Sequence, residues 1–389
     1  MIVLVVSPLN SLIQDQISNL RRVGIAACTI NISGTKGMTY NEAGGDEVSS
    51  DDEEGNNLED RAVLECDVPF DMIEKGAYKI IYAHPETFQK TKFAQVIRRK
   101  VYQELVCAVV IDEVHMISEW GDDFRPAFKK LGELICVFDG SRHLVLTATA
   151  TPAAVKSLVK LLNFKDHVVV SANVDRPNIY IEICKRLPNI HKFEKLDGII
   201  QPIAEELKEK QHDFPVTIIN VDNLESLGYF YQFVSYHLQE KGYKGEQIPQ
   251  NRIFGQYHKD YPDDMKQLII GELVKPNPTI RLVMATVALG MGINAPSVER
   301  IIHSRPPTTL EKYQQEIGRA GRAGQPAHAI MYYNNSDIAK NRKGLSDVMA
   351  QFCKQDGCYR RTLVNYFGFD EVLYKGERHN CCSNCRGSS

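Results

Sequence analysis

The chain has 389 residues, 43% of them hydrophobic and 24% charged, with a formal net charge of −3. That length allows two domains with separate cores, and the balance is that of a globular protein, not a disordered or fibrous one. The near-neutral charge excludes a global basic signature, so any nucleic-acid surface must be local. No apolar run is long enough to span a bilayer, and the opening Met1-Ile-Val-Leu-Val-Val-Ser-Pro has no basic segment before it and reads as a strand.

Ile2 to Ser7 forms that strand, and the spacing of Leu12, Ile13, Ile17 and Leu20 predicts an amphipathic helix from Ser11 to Arg22. Residues 25–32 read as the next strand. From Gly34 to about Asp60 the composition turns to Gly, Ser, Asn and acids, so about 34–62 is expected to be a solvated, disordered insertion. Tyr78 to Ala83 returns as a strand ending at His84-Pro85-Glu86, followed by a helix with a basic tail at Arg98, Arg99 and Lys100.

The run Leu105-Val-Cys-Ala-Val-Val-Ile-Asp112-Glu113 organises this half of the chain. An apolar, β-branched run of this length, ended by charge, predicts a strand buried on both faces of a parallel sheet. It delivers two adjacent carboxylates at the carboxyl edge, where open α/β folds place their ligands. In a nucleotide-hydrolysing domain the first acid holds Mg²⁺ through water and the second polarises the attacking water. Taken alone, the pair is equally consistent with acids that merely end a strand. His143 to Thr151 gives another strand with a hydroxyl-rich end at Thr147 and Thr149, and strand–helix alternation makes one α/β domain to about residue 170.

Asp175-Arg176-Pro177-Asn178 marks the link to a second α/β unit. Its expected strands are Val216–Asn220, Ile253–Tyr257, Arg281–Ala285 and Arg300–His303, and its helices include Leu224–Lys241, Asp263–Val274 and Thr309–Ile317. Ala285-Thr-Val-Ala-Leu-Gly290-Met-Gly292-Ile-Asn294 puts two glycines just past a strand, where backbone approaches a phosphate or sugar. Gln315-Glu316-Ile-Gly-Arg319-Ala-Gly321-Arg322 is expected to end a helix with two arginines on one face, able to reach a γ-phosphate across a domain cleft. Each segment alone also fits a Gly-rich turn or a solvated helix end. Of the ten cysteines, Cys28, Cys66, Cys107, Cys136 and Cys184 are scattered, mostly in apolar surroundings, and read as buried thiols in a reducing compartment. Cys353, Cys358, Cys381, Cys382 and Cys385 crowd the C-terminal end and point to metal.

Together and in this order, the segments resemble the superfamily 2 helicases and, within them, the RecQ family. The matching stretches are Ser7-Pro-Leu, Asp112-Glu-Val-His115-Met-Ile-Ser-Glu-Trp120-Gly-Asp-Asp-Phe124-Arg125, Thr147-Ala-Thr149-Ala, Met291-Gly-Ile-Asn294 and Tyr313-Gln-Gln-Glu-Ile-Gly-Arg-Ala-Gly-Arg322. The resemblance implies an α/β chain of two RecA-like parallel-sheet domains in tandem, 1–172 and 173–336, and a small helical zinc-binding subdomain, 337–389. It further implies a 3′–5′ DNA helicase driven by ATP and Mg²⁺, acting in the nucleus on single-stranded and forked DNA beside repair or replication proteins. Asp112 would bind Mg²⁺ through water and Glu113 would activate the hydrolytic water. His115, Thr147 and Thr149 would couple the nucleotide to domain movement. Trp120, Phe124 and Arg125 lie in what resembles the family's DNA-sensing aromatic loop, chemistry suited to base stacking and phosphate binding. Ser7, Pro8, Pro85, Glu86, Thr147 and Thr149 match DNA-contacting segments, while Gly290, Gly292, Asn294 and Gln315 match nucleotide-contacting ones. Arg322, with Arg319 as its partner, matches the arginine finger. Cys358, Cys381, Cys382 and Cys385 resemble the four zinc ligands of the Werner-type subgroup, with Cys353 as a possible substitute.

The pattern is incomplete. No stretch matches Gly-x-x-x-x-Gly-Lys-Ser/Thr, and Gly34-Thr-Lys-Gly37-Met-Thr39 has the wrong spacing. The resemblance places the family's phosphate-binding loop upstream of Met1, so this chain by itself is expected to hydrolyse ATP poorly or not at all. Val114, Tyr257-His258-Lys-Asp260 and Ala323 also depart from the family's usual residues. A non-catalytic DNA- or partner-binding protein on a helicase core is the alternative, and an RNA helicase of the same superfamily is a third reading.

Overall fold

The computed structural model describes residues 1–8, 10–33, 63–89, 91–114, 125–286, 289 and 295–387. The insertion expected at 34–62 lies outside them, as do His115, Trp120, Phe124, Gly290, Gly292 and Asn294. The chain separates into two compact units, Met1–Val170 and Ser171–Ser389.

The first unit carries β1 (Ile2–Val6), β2 (Ala27–Ser33), β3 (Val63–Cys66), β4 (Ile80–Ala83), β5 (Val106–Ile111) and β6 (Arg142–Val145). They hydrogen-bond in the order β3-β2-β4-β1-β5-β6, with only β3 antiparallel to its neighbour. Successive side chains on a strand point to opposite faces, and here both faces are covered. Ile2, Leu4 and Val6 join Ile81, Ala83, Val109 and Ile111 on one side, while Val5, Ala27 and Tyr82 meet Ile13 and Ile17 of the helix Asn10–Arg22 on the other. Each such aliphatic side chain contributes roughly 1.5–3 kcal/mol by leaving water. The strand expected from Leu105 starts one residue later, because Leu105 closes the short helix Lys100–Leu105.

The second unit carries β7 (Ile179–Lys185), β8 (Thr217–Asn220), β9 (Phe254–Tyr257), β10 (Leu282–Ala285), β11 (Arg300–His303) and β12 (Ala327–Tyr333). All are parallel, in the order β7-β12-β11-β8-β10-β9. Ile218, Val283, Ile301 and Ala329 face one core, which holds Ile269 and Tyr313 from helices Asp263–Leu273 and Leu310–Ile317. Ile219, Leu282, Met284 and Ile302 face the other, against helices Glu194–Lys210 and Leu224–Leu238. Three expected helices form almost as read. Asn223 caps Leu224–Leu238 by accepting from Ser226 N at 2.8 Å, and Thr309 caps Leu310–Ile317 by accepting from Lys312 N at 3.3 Å. β7, β12 and the helix Glu194–Lys210 go beyond the sequence reading. Pro202 inside that helix disguises it, although Leu196, Ile199, Ile200, Ile203 and Leu207 keep helical spacing and are buried.

The cysteine-bearing end packs into the second unit. Met349, Phe352, Tyr359, Leu363 and Cys382 share a core with Ile179 and Ile181, and ring contacts run from Tyr313 to Phe352 at 5.7 Å and on to Tyr359 at 5.1 Å. Cys382 pairs with Ile181, and Ser383 Oγ accepts from Ile183 N at 3.2 Å, so this segment covers the outer side of β7, an edge strand.

Candidate functional site

The first unit brings its predicted residues to one edge. β1 sits between β4 and β5, so the carboxyl ends of all three lie together, with Val6 in register with Ala83 and Ile111. Ser7 N donates to Ala83 O at 3.1 Å, Asp112 N to Val6 O at 2.9 Å and Val114 N to Leu146 O at 3.0 Å, which puts Ser7, Asp112, Glu113 and the start of the Thr147–Thr149 turn side by side. Asp112 and Glu113 are half-buried. Glu113 has φ 51°, a left-handed conformation that costs a non-glycine residue roughly 1–2 kcal/mol, and its N–H donates to Asp112 Oδ1 at 2.9 Å. The hydroxyl of buried Tyr82 is raised in pKa first by burial and then by the charge of Asp112, which marks the acid's field at this edge. Ser7 and Thr149 are buried, and neither hydroxyl has a hydrogen-bond partner among the described residues. Thr149 N donates to Thr147 Oγ1 at 3.3 Å. Pro85 and Glu86 open the 3₁₀ turn Pro85–Gln89 just past β4, with Pro85 buried and Glu86 half-buried. Arg125 starts the helix Arg125–Val137.

The second unit's edge is built differently. Asn220, His303 and Glu316 cluster, with Asn220 Nδ2 3.2 Å from His303 Nε2 and that nitrogen 2.5 Å from Glu316 Oε2. Gln315 is half-buried on the same helix. The arginines are not on a shared helical face as expected: the helix stops at Ile317, and Arg319 and Arg322 lie in the turn beyond it. Gly321, at φ 63°, ends the right-handed path, and a Cβ there would stand 2.3 Å from Asn178 Nδ2, so only glycine fits. Arg319 is buried and Arg322 exposed. Partial burial, and after it the charge of Arg176, lowers the Arg322 guanidinium pKa.

The sulfurs of Cys358, Cys381, Cys382 and Cys385 all lie within 4.8 Å of one another. Cys358 and Cys381 are 3.6 Å apart, and Cys382 and Cys358 3.9 Å. A tetrahedral metal with bonds of about 2.3 Å to sulfur needs edges of about 3.8 Å, so four thiolates fit such an ion with no open position. Hydrogen bonding to the Cys358 sulfur, and next to that of Cys381, lowers the Cys382 pKa, so this quartet favours a thiolate at its centre. Cys353 is not the substitute ligand considered above. It is buried in the apolar core, and burial pushes its thiol up to about 12. Nor are the scattered cysteines mostly buried: Cys28 is, Cys66, Cys107 and Cys184 are intermediate, and Cys136 is exposed.

A further set carries little sequence signal. Arg360 is almost wholly buried, donating to Asp175 Oδ1 at 2.6 Å and to the carbonyl of Arg176 at 2.9 Å. Its only signal was charge on the inner side of a helix that must pack, and the link Asp175–Asn178 was read as a plain connector.

The DEAD/DEAH box helicase family profile matches residues 1–158, and the helicase conserved C-terminal domain profile residues 217–324. Among curated proteins, the ATP-dependent DNA helicase RecQ of Haemophilus influenzae is 28% identical over 397 residues, covering 98% of this chain and 54% of its own length. The ATP-dependent DNA helicase Q1 of Rattus norvegicus is 29% identical over 395 residues, covering 98% and 55%. A putative ATP-dependent RNA helicase of Acanthamoeba polyphaga mimivirus is 28% identical over 407 residues, covering 99% and 62%. The chain thus spans less than two thirds of each. Among solved structures, the helicase MrfA bound to DNA and AMPPNP matches with a TM-score of 0.59 at 18% identity over 95% of this chain and 45% of that one. Lhr of Mycobacterium smegmatis, bound to single-stranded DNA and AMP-PNP, matches at 0.57 and 16% over 96% and 43%. At such identities the structures speak for the fold alone. Two helicase profiles in tandem on two parallel sheets, and likeness to RecQ proteins along nearly the whole chain, support a RecQ-type helicase of superfamily 2.

Proposed function

We propose that the chain is the motor region of an ATP-dependent DNA helicase that translocates 3′ to 5′ and separates strands in repair, recombination and replication, in the nucleus of its cell. The observation that carries this reading is the acid pair at the carboxyl edge of the first sheet, with Glu113 held in a strained backbone conformation beside the hydroxyls of Ser7 and Thr149, which have no partner among the described residues. Asp112 would hold Mg²⁺ through water, and Glu113 would take the proton of the attacking water; bound there, the metal would supply positive charge for phosphoryl transfer. Arg322, with Arg319 as its partner, would serve as the arginine finger of such a motor. Ser7, Pro85 and Glu86 line the DNA path, and Cys358, Cys381, Cys382 and Cys385 hold a structural zinc ion. The names of the relatives support an enzyme over the non-catalytic alternative.

The test is phosphate release from ATP with and without single-stranded DNA, in this chain and in Glu113→Gln. With no Gly-x-x-x-x-Gly-Lys-Ser/Thr stretch in the chain, turnover is expected to be low. The reading expects what there is to be stimulated by DNA and to fall in the variant by up to about 10²–10⁴-fold, the range for losing a general base. Turnover indifferent to Glu113→Gln ends this assignment, and DNA binding without any turnover favours the non-catalytic alternative. Competition between DNA and RNA oligonucleotides separates a DNA motor from an RNA one. For the metal, elemental analysis is expected to find one zinc ion per chain, lost in Cys382→Ser.

A further inference from the structure

Arg319 and Arg322 sit on a segment with little regular structure of its own, yet its carbonyls are occupied. Arg176 donates to Gly318 O at 3.2 Å, to Ala320 O at 3.3 Å and to Gly321 O at 2.8 Å. Asn178 adds Gly321 O and Gln325 O, both at 2.8 Å, and Gln314 reaches back to Val174 O at 2.9 Å. A planar guanidinium with five donors suits such a fan of acceptors, whereas an ammonium reaches fewer in fixed directions. The link holding the turn is itself held from the other side. Arg360 binds Asp175 Oδ1 at 2.6 Å, the Arg176 carbonyl at 2.9 Å and the Ile179 carbonyl at 2.5 Å, and it approaches the carbonyl of Cys381 at 3.4 Å. Asp175 Oδ2 accepts from Leu373 N at 2.7 Å and Tyr374 N at 3.1 Å. Polar groups buried this deeply are positioned by their partners, because an unmet bond there is costly.

We propose that Arg176 is a positioning residue for the Arg319–Arg322 turn, and that Arg360 ties it to the Cys381 carbonyl, so that metal occupancy of the cysteine quartet sets the order of that turn. This deepens the reading of Arg319 and Arg322 given above and rests on it. The coupling runs through contiguous hydrogen bonds within the second unit.

The experiment is hydrogen–deuterium exchange on the whole chain, in wild type, Arg176→Ala and Arg176→Lys, each with zinc and after stripping by a chelator. Amides of 318–325 are expected to exchange about tenfold faster in Arg176→Ala, as a local opening would, while those of β8, β10 and β11 stay protected. Arg176→Lys is expected to fall between. Stripping zinc from the wild type should loosen the same amides, adding little in Arg176→Ala, and returning Zn²⁺ should restore them. Unchanged exchange at 318–325 in Arg176→Ala overturns the proposal. So does equal loosening of the whole second unit, which marks a merely structural residue. A turn indifferent to zinc while residues 355–387 loosen overturns the link through Arg360. Phosphate release in Arg322→Ala tests the finger reading separately. If that variant is unaffected, the finger assignment fails and the exchange result still decides this inference.

Discussion

The two sheets present opposite kinds of carboxyl edge. In the first unit, Ser7 and Thr149 are buried hydroxyls with no partner among the described residues, beside half-buried acids and a strained Glu113. In the second, Asn220, His303 and Glu316 are engaged with one another, Ser304 Oγ donates to Asn220 O at 3.1 Å, and the turn after Ile317 has its carbonyls met by Arg176 and Asn178. A buried polar group left without a partner is tolerated where function needs it, and a met one is a structural asset. Among the described residues the first edge thus leaves two hydroxyls unmet, whereas the second engages most of its polar groups with one another, His303 Nδ1 excepted.

Removing Arg360 should have the largest effect. Arg360→Ala leaves Asp175 buried with its charge uncompensated, and a loss of about 3–5 kcal/mol is expected in urea unfolding followed on the second unit. A loss below about 1 kcal/mol would mean that water reaches Asp175 and that the second unit is less tightly held than described.

Next comes a contrast between the edges. Asn220→Ala is expected to cost about 1–2 kcal/mol, since His303 loses a neighbour inside a buried cluster. Ser7→Ala and Thr149→Val, by contrast, should change stability by less than about 0.5 kcal/mol, because neither hydroxyl has a partner to lose among the described residues. Both should still weaken binding of a labelled single-stranded oligonucleotide. Equal costs at the two edges would erase the distinction.

The pH dependence gives a finer probe. Burial alone would raise Glu206, but Arg300, at 2.8 and 3.1 Å, and Lys210 hold its pKa below the ordinary 4.5. Its folded pKa is depressed, so its contribution is present above about pH 4.5 and is lost as pH falls through the lower folded value. Glu206→Gln should cost about 1.5 kcal/mol at neutral pH and flatten the acid limb of the stability curve of the second unit. An unchanged acid limb would remove this pair from the account.

Much of this was legible in the sequence, for physical reasons. Strands buried on both faces write continuous apolar runs, so β1, β5, β8 and β10 were readable to within a residue or two. β7 and β12 were not: Ile179–Lys185 and Ala327–Tyr333 mix polar with apolar side chains, and the burial along β12 alternates strictly. The cysteine quartet could be read because thiolates that share an ion cluster in sequence as well as in space. The placement of Arg319 and Arg322 off the helix could not, since the turn beyond Ile317 is held by Arg176 and Asn178, well over a hundred positions earlier. The roles of Asp175, Arg176 and Arg360 are likewise invisible along the chain, because their partners are backbone carbonyls, which carry no sequence signature.

The cover over β7 has a consequence for how the molecule fails. An uncovered edge strand offers a row of free backbone donors and acceptors that any other strand can adopt. Cys382 and Ser383 block part of that row on β7, and Cys382 belongs to the quartet. If the quartet holds a metal, a chain that loses it would not simply melt. It would expose a parallel-sheet edge rich in Ile while the rest of the sheet is still folded, a state prone to polymerise before it unfolds, and turbidity would rise ahead of any loss of helical signal.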